Sequence, residues 1–310
     1  MQARRRLAHH ARCLAGPRRG AAAQVALQHT GAGAGAAPEE PDARKPVCLV
    51  LGAGAGIGQA VARKFATEGF HACMVRRGSG PNRLLKGDGN MEDGVVASIR
   101  ESGGSASVFF ADATVPAELA SLVQRIEAEV GPIGVAVYNV GAQFGNRSLE
   151  KTSYRIFELG FSMGSLGAFA MAKEVAPAML RRGQGTLLFT GATAGYRGNP
   201  FQHAHTAAMG ARRNLCQSLN AELGPQGIHV CHVNVDGMVD APETLGAMAP
   251  GLYEKMQAEM VPNDEVVLPA SIADTYWHVH SQPRNCWTFD LDVRPWQTMP
   301  WFNTANNLKI

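Results

Sequence analysis

Residues 47–58 read Val-Cys-Leu-Val-Leu-Gly-Ala-Gly-Ala-Gly-Ile-Gly, five apolar residues and then four glycines in seven positions. An apolar run without polar alternation suits a strand covered on both faces, the condition of a parallel sheet. Residues 56–68 then predict a helix, with Ile57, Val61 and Phe65 on one face and Gly69 at its end. Glycine at Gly52, Gly56 and Gly58 permits positive φ and lets the backbone approach a bound pyrophosphate. The following helix would aim its free N–H groups and dipole at that phosphate. Glycines alone mark any tight turn. Their place between a strand and a helix supplies the nucleotide-binding reading.

The rest of the chain repeats the alternation. Strands are expected over 71–75, 105–110, 134–138, 186–189, 229–235 and 287–291. Helices are expected over 91–101, 115–130, 152–180, 202–223 and 271–280, with a polar loop over 78–90. The helix over 115–130 has the clearest stripe, made by Leu119, Leu122, Val123, Ile126 and Val130. Alternating strands and helices predict an α/β fold, a Rossmann-like doubly wound parallel sheet with helices on both faces, in a single domain over 44–292 with a tail over 293–310. No repeat is visible, so a solenoid is not expected.

Hydrophobic residues make up 45% and charged residues 18% of the 310, values of an ordinary globular protein. A net charge of +3 gives no support to nucleic-acid binding. Cys13, Cys48, Cys73, Cys216, Cys231 and Cys286 have no metal-ligand or redox spacing, so they read as reduced thiols and no metal is expected. No apolar run is long enough for a membrane span. Residues 1–38 contain no acid but include Arg4, Arg5, Arg6, Arg12, Arg18 and Arg19. Such a leader, here 1–43 with its linker, resembles a mitochondrial transit peptide, and matrix localisation is the expectation. It lacks the usual serine, and a basic tail in a cytoplasmic protein is the alternative.

The spacing Gly52-x-x-x-Gly56-x-Gly58 resembles that of the short-chain dehydrogenase/reductase family. Phe110-Ala111-Asp112-Ala113 follows the third strand, and Asn139-Val140-Gly141 follows the fourth. Val233-Asn234-Val235-Asp236-Gly237 stands where the family has a Pro-Gly near the nicotinamide. The resemblance implies a cofactor site of Gly52, Gly56, Ile57, Gly58, Asp112, Ala113, Asn139 and Gly141. The second strand ends in Arg76 and Arg77 without a carboxylate, which favours NADP(H) over NAD(H) through pairing with a 2′-phosphate. Two solvated arginines are the alternative.

The family's catalytic pattern is missing. Its tyrosine falls on His205, its lysine on Met209, its serine on Ala192 and its asparagine near Gly164. Tyr138 also replaces the first asparagine of the usual Asn-Asn-Ala-Gly. Two readings stay open. His205 is a substitute acid with Thr190 or Thr193 in place of the serine hydroxyl, since imidazole titrates near neutrality. Otherwise His205 is a half-buried helix residue in an inactive structural or regulatory subunit. Tyr196 and His203 lie close by in sequence.

Residues 241–270 should cover a substrate, although their apolar side chains suit packing equally well. Trp296 and Trp301 form a partner surface or fold back onto the domain. Family members usually associate through the two long helices, here 152–180 and 202–223, which implies a homo-oligomer.

Overall fold

The computed structural model describes residues 42–78, 92–141 and 143–302. The arginine-rich leader and most of the loop at 78–90 lie outside the described residues. Seven parallel strands form one sheet: β1 Val47–Leu51, β2 His71–Arg76, β3 Ser105–Phe110, β4 Ile133–Tyr138, β5 Gly185–Ala192, β6 Ile228–Val235 and β7 Asp290–Val293. Their order is β3-β2-β1-β4-β5-β6-β7, so chain direction across the sheet reverses between β1 and β4. Ligands in such sheets bind at that switch, beyond the carboxyl ends of the strands.

Helices cover both faces. Val47, Leu49 and Leu51 point to a core shared with α3 (Pro116–Glu129), α5 (Gly167–Arg182) and α6 (His203–Leu223). Cys48 and Val50 point to the opposite core, shared with α1 (Ile57–Thr67), α2 (Ala97–Glu101) and α8 (Pro269–His280). This two-sided burial is why β1 shows no polar alternation. Cys48, Cys73, Cys216 and Cys231 are buried thiols. Among the described residues no helix is long and apolar enough to cross a membrane, and no cluster of metal ligands occurs.

Three elements differ from expectation. The helix expected over 152–180 is α4 (Tyr154–Phe161), a wider π turn at Ser162–Leu166, and α5. At that turn the Gly164 carbonyl accepts from Arg212 Nε at 2.6 Å and the Met163 carbonyl from the Tyr138 hydroxyl at 2.7 Å. Such side-chain bonds draw carbonyls out of a helical ladder. The segment at 91–101 begins as a π turn, Glu92–Val96, before α2. The last strand runs over Asp290–Val293 rather than 287–291. Trp287 mimics strand composition, but its ring lies flat on His229 at 4.7 Å, and Gln282 holds the Thr288 N–H at 2.8 Å. The stretch between β6 and α8 carries a short helix, α7 (Pro250–Lys255), and the helical turns Pro242–Gly246, Met256–Met260 and Val261–Asn263.

His280 closes α8 inside an aromatic cluster, with its ring 5.3 Å from Phe70 and 5.6 Å from Phe65. Burial, with a smaller contribution from His229, pulls its pKa down to about 4 from an ordinary 6.5. A lowered folded pKa means that the neutral form stabilises the fold above pH 6.5, and that this contribution is lost as pH falls toward 4. The melting temperature is therefore expected to drop between those values. His280→Gln should flatten that slope in a pH series of thermal melts.

Candidate functional site

The glycine turn fills the switch between β1 and β4. Gly52 has φ +86°, and a side chain there would meet the Asn139 carbonyl oxygen at 2.7 Å. Gly56 has φ +150°, and a side chain on Gly58 would meet the Gly52 oxygen at 2.4 Å. These contacts press the start of α1 against the end of β1. Ile57 opens α1 beside them. Backbone that no Cβ could occupy, together with the first N–H groups of an eleven-residue helix, makes a cradle that fits a pyrophosphate.

Asn139 ties the strand ends together. Its Nδ2 donates to the Gly52 carbonyl at 3.1 Å, and its Oδ1 accepts from the Thr190 hydroxyl at 2.9 Å. The Thr190 and Tyr276 hydroxyls lie 2.6 Å apart. Asp112 turns its carboxylate onto its own loop, accepting from the N–H and hydroxyl of Thr114 at 2.8 and 2.7 Å. Ala113 packs its carbonyl under Gly167, where a side chain would come within 2.4 Å. Gly141 is exposed, with open space beside it. Arg76 is half-buried and Arg77 exposed at the end of β2.

Sequence reasoning missed what holds Arg76. Glu243, in the turn Pro242–Gly246, places Oε2 3.0 Å from Arg76 Nη2 and accepts the Ala55 N–H at 3.1 Å. No motif marks Glu243. Its role comes from the segment after β6 folding back over the glycine turn.

Of the positions that sequence reasoning assigned to the family's catalytic residues, those of the lysine, serine and asparagine are apolar. Met209 is buried in a cluster with Ala194 and Ala208, against Phe144, Met163 and Ala192. A side chain at Gly164 would meet the Ala208 Cβ at 2.4 Å, so the π turn and α6 leave no space for an asparagine there. His205 lies half-buried in the first turn of α6 and lines a small pocket together with Phe144, Ile156, Phe201 and His203. Thr193 donates to the buried Asp236 carboxylate at 2.6 Å. Thus Thr190 and Thr193 both hold partners within the protein. Tyr196 bonds to Asp290 beneath the Arg213 guanidinium, and burial with that carboxylate pushes its pKa well up. Trp301 packs against Tyr196 at 4.7 Å and gives its backbone N–H to Asp236 at 3.0 Å, whereas Trp296 stays exposed.

A second missed residue lies one turn beyond Met209. Arg212 is 2% exposed and has no salt bridge to a described carboxylate. It donates to the carbonyls of Gly164, Thr190, Val140 and Met163 at 2.6, 2.6, 2.7 and 3.2 Å. Its guanidinium also lies over the Tyr138 ring at 4.8 Å. The sequence signal was a cation three residues after Met209 and four before Cys216, on the face of α6 that those residues bury.

Known proteins resemble this architecture over most of the chain. The sequence model of the short chain dehydrogenase family matches residues 46–245. A short-chain dehydrogenase/reductase of Armillaria gallica is 28% identical over 233 residues, 73% of this chain and 85% of its own. The 2,3-dihydro-2,3-dihydroxybenzoate dehydrogenase of Bacillus subtilis is 28% identical over 236 residues, 74% of this chain and 86% of its own. A crystal structure of a short-chain dehydrogenase from Rhodopseudomonas palustris superposes with a TM-score of 0.65 at 31% identity, covering 82% of this chain and all of that one. An actinorhodin polyketide ketoreductase with NADPH superposes at 0.69 with 23% identity, over 81% of this chain and 96% of its own, a likeness of fold. With more than half of its length matched, the glycine turn at the sheet's switch and the strand order in place, the chain belongs to the short-chain dehydrogenase family.

Proposed function

We propose that this protein is an NADP(H)-binding oxidoreductase acting on a carbonyl/alcohol pair through an atypical site. The observation that carries the reading is the glycine cradle, in which Gly52 and Gly58 leave no room for any side chain. Relatives with NADP or NADPH in their crystals support a nicotinamide dinucleotide as the ligand. Arg77, and Arg76 once released from Glu243, supply positive charge suited to a 2′-phosphate, while NAD(H) is the alternative cofactor. Gly56, Ile57, Asp112, Ala113, Asn139 and Gly141 complete the proposed cofactor surface.

A bound nicotinamide ring would supply the hydride. The chain must then hold the carbonyl and deliver a proton. His205 is the group proposed to donate that proton, from its pocket. Thr190 and Thr193 serve it by positioning: one braces Asn139, the other Asp236. A second reading is favoured by the apolar cluster around Met209 and Ala192, which leaves no cation or hydroxyl at those positions. In that reading the protein binds the dinucleotide without turnover and serves as a structural or regulatory subunit, placed in mitochondria by its leader.

The experiment is a calorimetric titration with NADPH and with NADH, followed by NADPH oxidation assays over a panel of carbonyl compounds. Binding with turnover that falls ~100-fold or more in His205→Ala supports the enzyme. Binding without turnover selects the subunit. We also propose a homo-oligomer. The exposed stripe Tyr154, Phe157, Phe161, Leu166 and Phe169 along α4, the π turn and α5 supports it.

A further inference from the structure

The segment that follows β6 lies directly on the glycine turn. A side chain at Gly56 would touch the Ala241 Cβ at 3.4 Å, and one at Gly54 would meet Glu243 Oε2 at 3.2 Å. The segment is anchored just upstream. Asp240 accepts from the Tyr253 hydroxyl and from Gln257 Nε2, each at 2.8 Å, and Val239 bridges to Val267. The Ala241 carbonyl accepts the N–H groups of Thr244 and Leu245 at 3.1 and 2.9 Å, which closes the turn carrying Glu243.

Glu243 thereby holds two donors at this corner of the site, the Ala55 N–H and the Arg76 guanidinium. Its Oε2 takes the Ala55 N–H at 3.1 Å and faces Arg76 Nη2 at 3.0 Å, while Oε1 faces Nη1 at 3.4 Å. The two side chains are only 18% and 25% exposed, so solvent screens the pair weakly. A guanidinium fork accepts a carboxylate or a phosphate with the same geometry. The Nη1/Nη2 edge that Glu243 occupies cannot serve both at once, because the two anions would lie side by side and repel. A hydroxyl is different, since it can donate to the carboxylate where it stands.

We propose that Glu243 is a specificity-determining residue that competes with a ribose 2′-phosphate for Arg76 and the Ala55 N–H, and accepts a ribose 2′-hydroxyl in place. The inference rests on the cradle being a dinucleotide site, and it adds a carboxylate supplied by the segment after β6 rather than by β2. Binding of a 2′-phosphorylated cofactor then requires Glu243 to leave, which loosens Pro242–Gly246 from the glycine turn.

The test is calorimetric titration of the full chain and of Glu243→Gln with NADPH, NADH and adenosine 2′,5′-bisphosphate. The variant should bind NADPH and the bisphosphate ~10-fold more tightly, with no gain for NADH. Adding Arg76→Ala should abolish that gain. Glu243→Ala, checked by thermal melting, repeats the comparison if the glutamine variant folds poorly. Dinucleotide binding with an unchanged NADPH-to-NADH ratio overturns the role of Glu243 and leaves the function intact. Failure of both dinucleotides to bind either protein overturns the dinucleotide site and this inference together.

Discussion

Arg212→Met is expected to lower stability by about 3–5 kcal/mol. Methionine approximates the volume, so the loss arises from hydrogen bonding rather than from a cavity. Four carbonyls on three separate segments depend on this guanidinium: Val140 after β4, Thr190 in β5, and Met163 and Gly164 in the π turn. Burial pulls the Arg212 pKa below its ordinary value, although the Tyr138 ring stacked on it offsets part of that cost. Without the cation the Gly164, Thr190 and Val140 carbonyls lose this donor in an apolar interior, while Met163 keeps the Tyr138 hydroxyl. At 2–4 °C per kcal/mol for a domain of this size, the melting temperature should fall by roughly 10 °C, read by calorimetry. Arg212→Lys should recover little, because an ammonium cannot span three directions in one plane. A melting temperature within 2 °C of wild type in Arg212→Met would show that the carbonyls find other donors.

Gly58→Ala should cost ~100-fold in dinucleotide affinity and about 1–3 kcal/mol in stability. The new methyl would stand 2.4 Å from the Gly52 oxygen and 2.7 Å from the Ala53 Cα. Both are backbone atoms at the end of a buried strand, so α1 must slide away from the turn. That movement carries off the N–H groups that face the pyrophosphate. Gly210→Ala is the control, since a side chain there meets nothing within 4 Å. Titration with NADPH and NADH should separate the two variants. Equal affinity for Gly58→Ala and wild type would remove the cradle from the proposed function.

The absence of a lysine and a serine at the positions that resemble the family's catalytic ones was readable directly. A methionine at 209 and an alanine at 192 carry no chemistry, whatever the fold around them. The consequence of those losses was not readable. Packing gathered these residues into an apolar cluster, with Gly160 in α4 and Gly164 in the π turn letting α6 approach closely over Ala204 and Ala208. Thr190 and Thr193 looked like spare hydroxyls until the fold gave each a partner, Asn139 and Asp236.

Taken alone, the sequence determined the alternation of strands and helices, the glycine turn and the order of its motifs. Those features are written in local periodicity: continuous apolar runs for buried strands, a 3.6-residue stripe for helices, and glycines where a backbone must come close. Tertiary structure alone decided what spans long separations. Glu243 reaches Arg76 across 167 residues and the Ala55 N–H across 188. Arg212 reaches Val140 across 72. The last strand shifted to Asp290–Val293 because Trp287 found a flat partner in His229. Partners so far apart leave no mark in any window of sequence. They are chosen when burial removes water and each polar group must take the nearest group of opposite character.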